Sequence, residues 1–317
     1  MSEQRSNEPR ILVTGGAGFI GSHLVDLLLS QGFAVTVLDN LSFGHQHNLP
    51  LDNPKLRFIQ GDVADATVVA EAVQGCQAIA HLAAVASVQA SVDDPLGTHQ
   101  ANLVGTVVVA EAAKQAGIKR IVFASSAAVY GNNGEGVAID EDTPKAPLTP
   151  YAADKLASEH YLDFYRREHG LTPAIFRFFN IYGPRQDPSS PYSGVISIFT
   201  ERTLKQQPIT VFGDGEQTRD FVFVADLVAL LAQALHAEQV PVAAVNVGLQ
   251  RSTSLNQLLG YLREITASQP SVTYAAGRPG DIRHSLANNQ RLRQCYAFAE
   301  PVPMLDGLRA LVASVKA

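Results

Sequence analysis

At 317 residues, with 46% hydrophobic and 17% charged side chains, the chain carries enough apolar surface to offset the entropy of ordering, which excludes a disordered protein and suggests about two domains. Lys and Arg total 24 against 30 Asp and Glu, and the net charge of -6 repels phosphate backbones and argues against a nucleic-acid partner. Cys76 and Cys295 form neither a disulfide framework nor a CxxC metal site; the polar stretch from Ser2 to Arg10 and the lack of an 18-residue apolar run predict a soluble, cytoplasmic protein without a membrane partner.

Strand-like runs alternate with amphipathic stretches through the first half. Ile11–Thr14, Ala34–Leu38, Leu56–Ile59, Ala78–His81, Arg120–Ala124 and Ala174–Phe178 read as strands. Ile20, Leu24, Leu27 and Leu28 share one helix face, and this alternation predicts an α/β fold with a doubly wound, Rossmann-type parallel sheet. Residues 1–182 are expected to form this cofactor domain, joined by a returning segment near 222–249. Residues 183–317, starting in the Pro/Ser/Gly-rich stretch from Asp187 to Gly194, are expected to form a smaller α/β substrate domain.

Gly15, Gly18 and Gly21 form GxxGxxG between the first strand and helix, a pattern that brings backbone N–H groups and a helix N-terminus to a pyrophosphate. Asp39, 24 residues after Gly15, ends the second strand. A carboxylate there accepts hydrogen bonds from the adenosine ribose and repels a 2′-phosphate, which favours NAD over NADP; alternatively it caps the turn that Asn40 and Ser42 continue. Asp62 in GDV reads either as an adenine-edge contact or as a turn residue.

Tyr151 and Lys155 lie at i and i+4, with Thr149 and Pro150 as N-cap and first helical residue. A phenol is a poor base at neutral pH until a nearby cation favours its phenolate; such a phenolate takes a proton from a substrate hydroxyl as hydride leaves the same carbon. Ser125 and Ser126 end the fifth strand at the sheet edge where this fold places ligands, and either hydroxyl is a candidate to orient the substrate. His81 reads as a hydrogen-bonded core residue rather than a metal ligand, and Cys295 as inert; no metal site is expected.

With GGAGFIG, Asp39-Asn40, HLAA at 81–84, SSAAVYG at 125–131, YxxxK and RFFNIYGPR at 177–185, the chain resembles the extended short-chain dehydrogenase/reductase family across nearly its whole length. Within that family, FGDGEQTRDFVFVADL at 212–227 and RPGDIRHS at 278–285 are most similar to the UDP-hexose 4-epimerases. The resemblance implies cofactor contacts from Phe19, Ile20, Ser42, Gly44, Val63, Leu82, Ala83, Ala84 and Phe178, and a bracing role for Asn102 toward the helix of Tyr151. It implies Arg219 and Arg278 as a diphosphate clamp, Asn180 on phosphate, Asp281 on the uridine ribose and Phe212 near uracil, with further substrate contacts from Ala86, Ser87, Val195, Val211 and Ser285.

The related sugar dehydratases carry an Asp-Glu pair after the strand-five hydroxyl, where this chain has Ala127-Ala128; elimination is therefore disfavoured and epimerisation at C4 through a transient keto sugar remains. Ser285 is small at the place where a bulky aromatic confines relatives to plain hexoses, so the resemblance implies UDP-GlcNAc/UDP-GalNAc together with UDP-Glc/UDP-Gal. A UDP-glucuronate 4-epimerase, using Arg185 or Arg283 for the carboxylate, and a non-catalytic NAD-binding regulator are the alternatives. The resemblance also implies a homodimer through a four-helix bundle of the helices at 95–116 and 151–168.

Overall fold

The computed structural model describes residues 8–133, 136–187, 194–277, 282–298 and 300–316. The chain opens with β1 (Arg10–Thr14), α1 (Phe19–Ser30), β2 (Ala34–Asp39), β3 (Leu56–Gln60), α2 (Ala66–Ala72) and β4 (Cys76–His81). Short helices α3 (Val88–Asp93) and α4 (Pro95–His99) lead into α5 (Gly105–Gln115), followed by β5 (Arg120–Ser126), α6 (Pro150–His169) and β6 (Thr172–Phe178). All six strands form one parallel sheet in the order β6-β5-β4-β1-β2-β3.

The remaining elements are β7 (Asn180–Tyr182), α7 (Val195–Leu204), β8 (Ile209–Phe212), β9 (Thr218–Phe223), α8 (Val224–His236), β10 (Val245–Val247), β11 (Ser252–Ser254), α9 (Leu255–Thr266), β12 (Val272–Ala275), α10 (Gln290–Cys295) and α11 (Met304–Lys316). The expected returning strand is β10, which pairs parallel with β6 and makes the sheet seven-stranded. Two small sheets, β11-β9-β7 and β12-β8, stand apart from it.

Strand alternation divides the core. Ile11, Val13, Val35 and Val37 join Leu24, Leu28, Leu227 and Leu231 of α1 and α8 on one face, whereas Leu12, Ile79, Ile121 and Phe123 join Val69, Val109 and Leu162 of α2, α5 and α6 on the other. Covering both faces directs ligands to the carboxyl edge of the sheet, at the crevice between β1 and β4 where the strand order reverses.

One helix differs from expectation. The run at 95–116 is interrupted by a π-helical turn at Gln100–Val104. Asn102 sits in that turn, buried, with its amide accepting from Val85 N at 2.8 Å and donating to Val85 O at 3.2 Å. Its side chain therefore braces the loop after β4, and its carbonyl accepts from Ser158 Oγ of α6 at 3.5 Å.

Candidate active site

The turn between β1 and α1 is shaped by backbone crowding. Gly15 has φ +70°, and a Cβ there would lie 2.8 Å from Ala83 N; a Cβ on Gly21 would collide with the Gly15 carbonyl. Gly18 caps α1 without a side-chain hydrogen bond, so the first-turn N–H groups remain available to an anion. Asp39 is buried with Oδ2 accepting from Ala17 N at 2.9 Å and Oδ1 from Leu41 N at 2.8 Å. The carboxylate thus braces the two flanking loops and lines the cavity at once. Asn40 donates to Asp62 Oδ2 at 3.0 Å, which joins the ends of β2 and β3.

A cavity of about 630 Å³ runs from this turn to α6. Gly15, Gly18, Phe19, Ile20, Asp39, Asn40, Ser42, Gly44, Asp62, Val63, Leu82, Ala83, Ala84, Ser125, Tyr151, Lys155 and Phe178 all line it, as do Ala86, Ser87 and Ser126. Asn102 lies behind the wall. An open helix N-terminus, a glycine cradle and a buried carboxylate suit a dinucleotide, with the anion at α1 and the ribose at Asp39.

At the other end, Thr149 Oγ1 accepts from Ala152 N at 3.3 Å and Pro150 begins α6, which places Tyr151 and Lys155 in its first turns. Tyr151 is buried with the Ser126 hydroxyl near its phenol; burial raises the phenol pKa and Ser126 opposes that rise. Lys155 is 3% exposed and donates from Nζ to Ala124 O at 2.7 Å, with Nζ 4.9 Å from the Phe123 ring centre and 5.9 Å from that of Tyr151. Burial lowers its pKa to about 8, against the pull of Asp154 and Glu159. The two serines part company: Ser126 turns to Tyr151 and accepts from Ala128 N at 3.1 Å, while Ser125 donates to buried Glu159.

His81 is wholly inside the protein, as expected. Thr106 Oγ1 donates to Asn102 O at 2.6 Å, so it accepts from His81 Nε2 at 3.1 Å, and His81 Nδ1 accepts from Thr14 Oγ1 at 2.7 Å. Burial, helped by Lys155, lowers the imidazole pKa to about 3.

The expected sugar-nucleotide residues are less closely gathered. Asn180 donates to Asp220 O at 3.3 Å, Ser285 N donates to Thr218 O at 3.2 Å, and Arg219 Nη1 donates to Thr218 O at 2.8 Å. Among the described residues, Asn180, Val195, Phe212, Arg219 and Ser285 are not in the cavity wall, and Arg278 and Asp281 lie outside the described residues. Alternation along β8 buries the Val211 side chain completely in the core, so a ligand contact there would come from its backbone. Arg185 reaches the cavity wall but pairs with Asp26 at 2.7 Å, and Arg283 pairs with Asp214 at 2.7 Å.

The wall also holds Val85, Ala101, Ala128 and Phe179, small or apolar residues that carry no chemical signal in the sequence, and the polar His45, Asn48 and Gln186, which no motif marked. Sequence reasoning also missed buried Asp220, whose carboxylate accepts from Leu249, Gln250 and Ala287 and ties β9 to two distant segments. That carboxylate stood inside the 212–227 motif.

Residues 11–248 match the NAD dependent epimerase/dehydratase family, and the chain belongs to that enzyme family, whose cofactor is NAD. It is 39% identical to a UDP-glucose 4-epimerase of Mycolicibacterium smegmatis, over 96% of this chain and 97% of the relative. Among solved structures it is similar to the UDP-glucose 4-epimerase of Thermotoga maritima with UDP-glucose (TM-score 0.90, 37% identity, 97% of this chain and 98% of that one). It is also similar to the UDP-N-acetylglucosamine 4-epimerase of Methanobrevibacter ruminantium M1 in complex with UDP-N-acetylmuramic acid (TM-score 0.92, 36% identity, 98% of each). Among the described residues, no helix is long and apolar enough to cross a membrane.

Proposed function

We propose that this chain is a UDP-sugar 4-epimerase that interconverts UDP-glucose with UDP-galactose and also UDP-GlcNAc with UDP-GalNAc. The observation that carries the reading is buried Tyr151 and Lys155 beside half-buried Ser126 at one end of a cavity that suits a dinucleotide, with Ala127-Ala128 following Ser126 where elimination would need an acid and a base. The similarity to enzymes of both names supports it.

NAD, when bound in this cavity, would supply a reversible two-electron acceptor for C4. Ser126 orients the C4 hydroxyl; Tyr151 takes its proton as the C4–H bond breaks, and returns a proton to the same oxygen as a C4–H bond re-forms on the opposite face of the keto sugar, serving as base and then acid. Lys155 offsets the burial that otherwise disfavours the phenolate, and holds the nicotinamide ribose. In this reading residues 1–182 with β10 hold the cofactor and 183–317 mainly hold the nucleotide sugar, with Arg219 and Arg278 on the diphosphate and Asp281 on the ribose, while Asn180 from the first segment meets phosphate. Small Ser285 is the support within the chain for the acetamido substrates.

Incubation of the purified protein with UDP-glucose, UDP-GlcNAc and UDP-glucuronate in turn, with NAD added and products followed by proton NMR, tests this. The C4 epimers of the first two are expected. Conversion of UDP-glucuronate alone would move the substrate to the acid, against the observation that Arg185 and Arg283 are already paired. No conversion at all would favour another nucleotide sugar or an NAD-binding regulator.

Exposed Val92, Leu96, Tyr161 and Phe164 on α3, α4 and α6 support a homodimer through these helices. Light scattering should give about twice 33.9 kDa at micromolar concentration, and a monomer mass would overturn it.

A further inference from the structure

Behind the reacting groups lies a buried polar cluster that the chemistry above does not use. Glu159 stands one turn beyond Lys155 on α6 and is 7% exposed. Arg177 on β6 grips it as a fork, Nε to Oε1 at 3.0 Å and Nη2 to Oε2 at 2.7 Å. Arg177 is paired in register with Ser125 of β5, and Ser125 Oγ donates to the same Oε1. The guanidinium also donates from Nη1 to Tyr130 OH at 2.8 Å, and that phenol donates to Asn246 Oδ1 of β10 at 2.7 Å. Ser126 is therefore flanked on both sides by residues tied to this pair, Ser125 immediately before it and Tyr130 at the end of the 3-10 turn after it.

We propose that Glu159 is a positioning residue for the reaction: braced by Arg177 and Ser125, it sets where the end of β5 lies against α6, so that Ser126 meets Tyr151, and it fixes a carboxylate one helical turn from Lys155. This rests on the 4-epimerase reading. A buried ion pair is a weak source of stability, because desolvation offsets most of its attraction, so the cluster's reach to both flanks of Ser126 points to placement. The charged and titratable groups facing Lys155 are Tyr151, Asp154 and Glu159 on its own helix and His81 on β4, which is neutral; Asp154 is itself bonded to His99 Nδ1 at 2.8 Å. Glu159 is thus one of two carboxylates opposing the burial of Lys155, and Arg177 on β6 partly balances it.

The test uses E159Q and S125A in the full chain, with two readouts. The Lys155 protonation midpoint is followed by NMR of carbon-13-labelled lysine in the NAD-free protein, with a Lys155→Met control for assignment; kcat and KM on UDP-galactose are measured against pH. E159Q should lower the midpoint, move the alkaline limb of the rate profile to lower pH, and reduce kcat about 10- to 100-fold with KM within about twofold. S125A keeps the carboxylate, so it should leave the midpoint in place and still lower kcat about 3- to 10-fold.

A folded E159Q with an unchanged midpoint and profile overturns the proposal, even if its melting temperature falls. Should E159Q not fold, S125A decides alone, since it loses only a hydroxyl: wild-type kcat there overturns the placement. A wild-type chain with no turnover fails the 4-epimerase reading instead, and the lysine midpoint still decides this one.

Discussion

The cofactor end and the sugar-nucleotide end of this protein are built by different means. At the cofactor end, short loops at the tips of β1, β2 and β4 supply the wall, and residues adjacent in sequence, such as Leu82, Ala83 and Ala84, are adjacent in the cavity. At the other end the candidates come from β7, α7, β8, β9 and the segment around Ser285, joined through intermediates such as Asp220. A site made of strand tips inherits its geometry from the sheet. A site assembled from separated segments depends on the packing between them.

Perturbing each end separates the two. The largest effect belongs to the residue between them: Tyr151→Phe should lower turnover by about 100- to 10,000-fold while NAD stays bound, measured by NMR for turnover and by cofactor content after gel filtration. Retained activity would break the chemical assignment.

Next is the cofactor end. Gly15→Ala forces an L residue to φ +70° with its Cβ 2.8 Å from Ala83 N, a strain of about 1–3 kcal/mol. Isothermal titration should show NAD affinity falling about 10- to 100-fold, with UDP binding unchanged.

At the sugar-nucleotide end the effects should be reversed. Arg219→Ala should raise the KM for the UDP-sugar about 10-fold and leave NAD affinity alone, as expected for one lost charged hydrogen-bonding group. An equal loss of NAD affinity would mean that the two ends are one coupled site. The smallest effect is expected from Ser285→Tyr: kcat/KM on UDP-GlcNAc should fall about 10-fold relative to UDP-glucose. An unchanged ratio would remove Ser285 from the argument for acetamido substrates.

Much of the cofactor end was legible because the physics there is local. A glycine at a strand-to-helix turn, an acid at the next strand tip and a Tyr-Lys pair four apart on a helix each constrain backbone or face without knowledge of distant residues. The π turn at Gln100–Val104 was not legible, since QANLV carries no breaker and reads as ordinary helix. Nor was Val211, whose neighbours in the core are far away in sequence.

The sequence by itself determined the parallel sheet, the order of its elements, the cofactor turn and the helix that bears Tyr151 and Lys155. Alternation, capping and glycine placement are properties of neighbours along the chain. Tertiary structure decided which serine faces Tyr151, that Ser125 belongs instead to the Glu159–Arg177 pair, and that the Asn102 amide braces Val85. Those choices depend on β6, α6 and the loop after β4 meeting at one strand end, and adjacent residues on a strand point to opposite faces whose occupants only packing supplies.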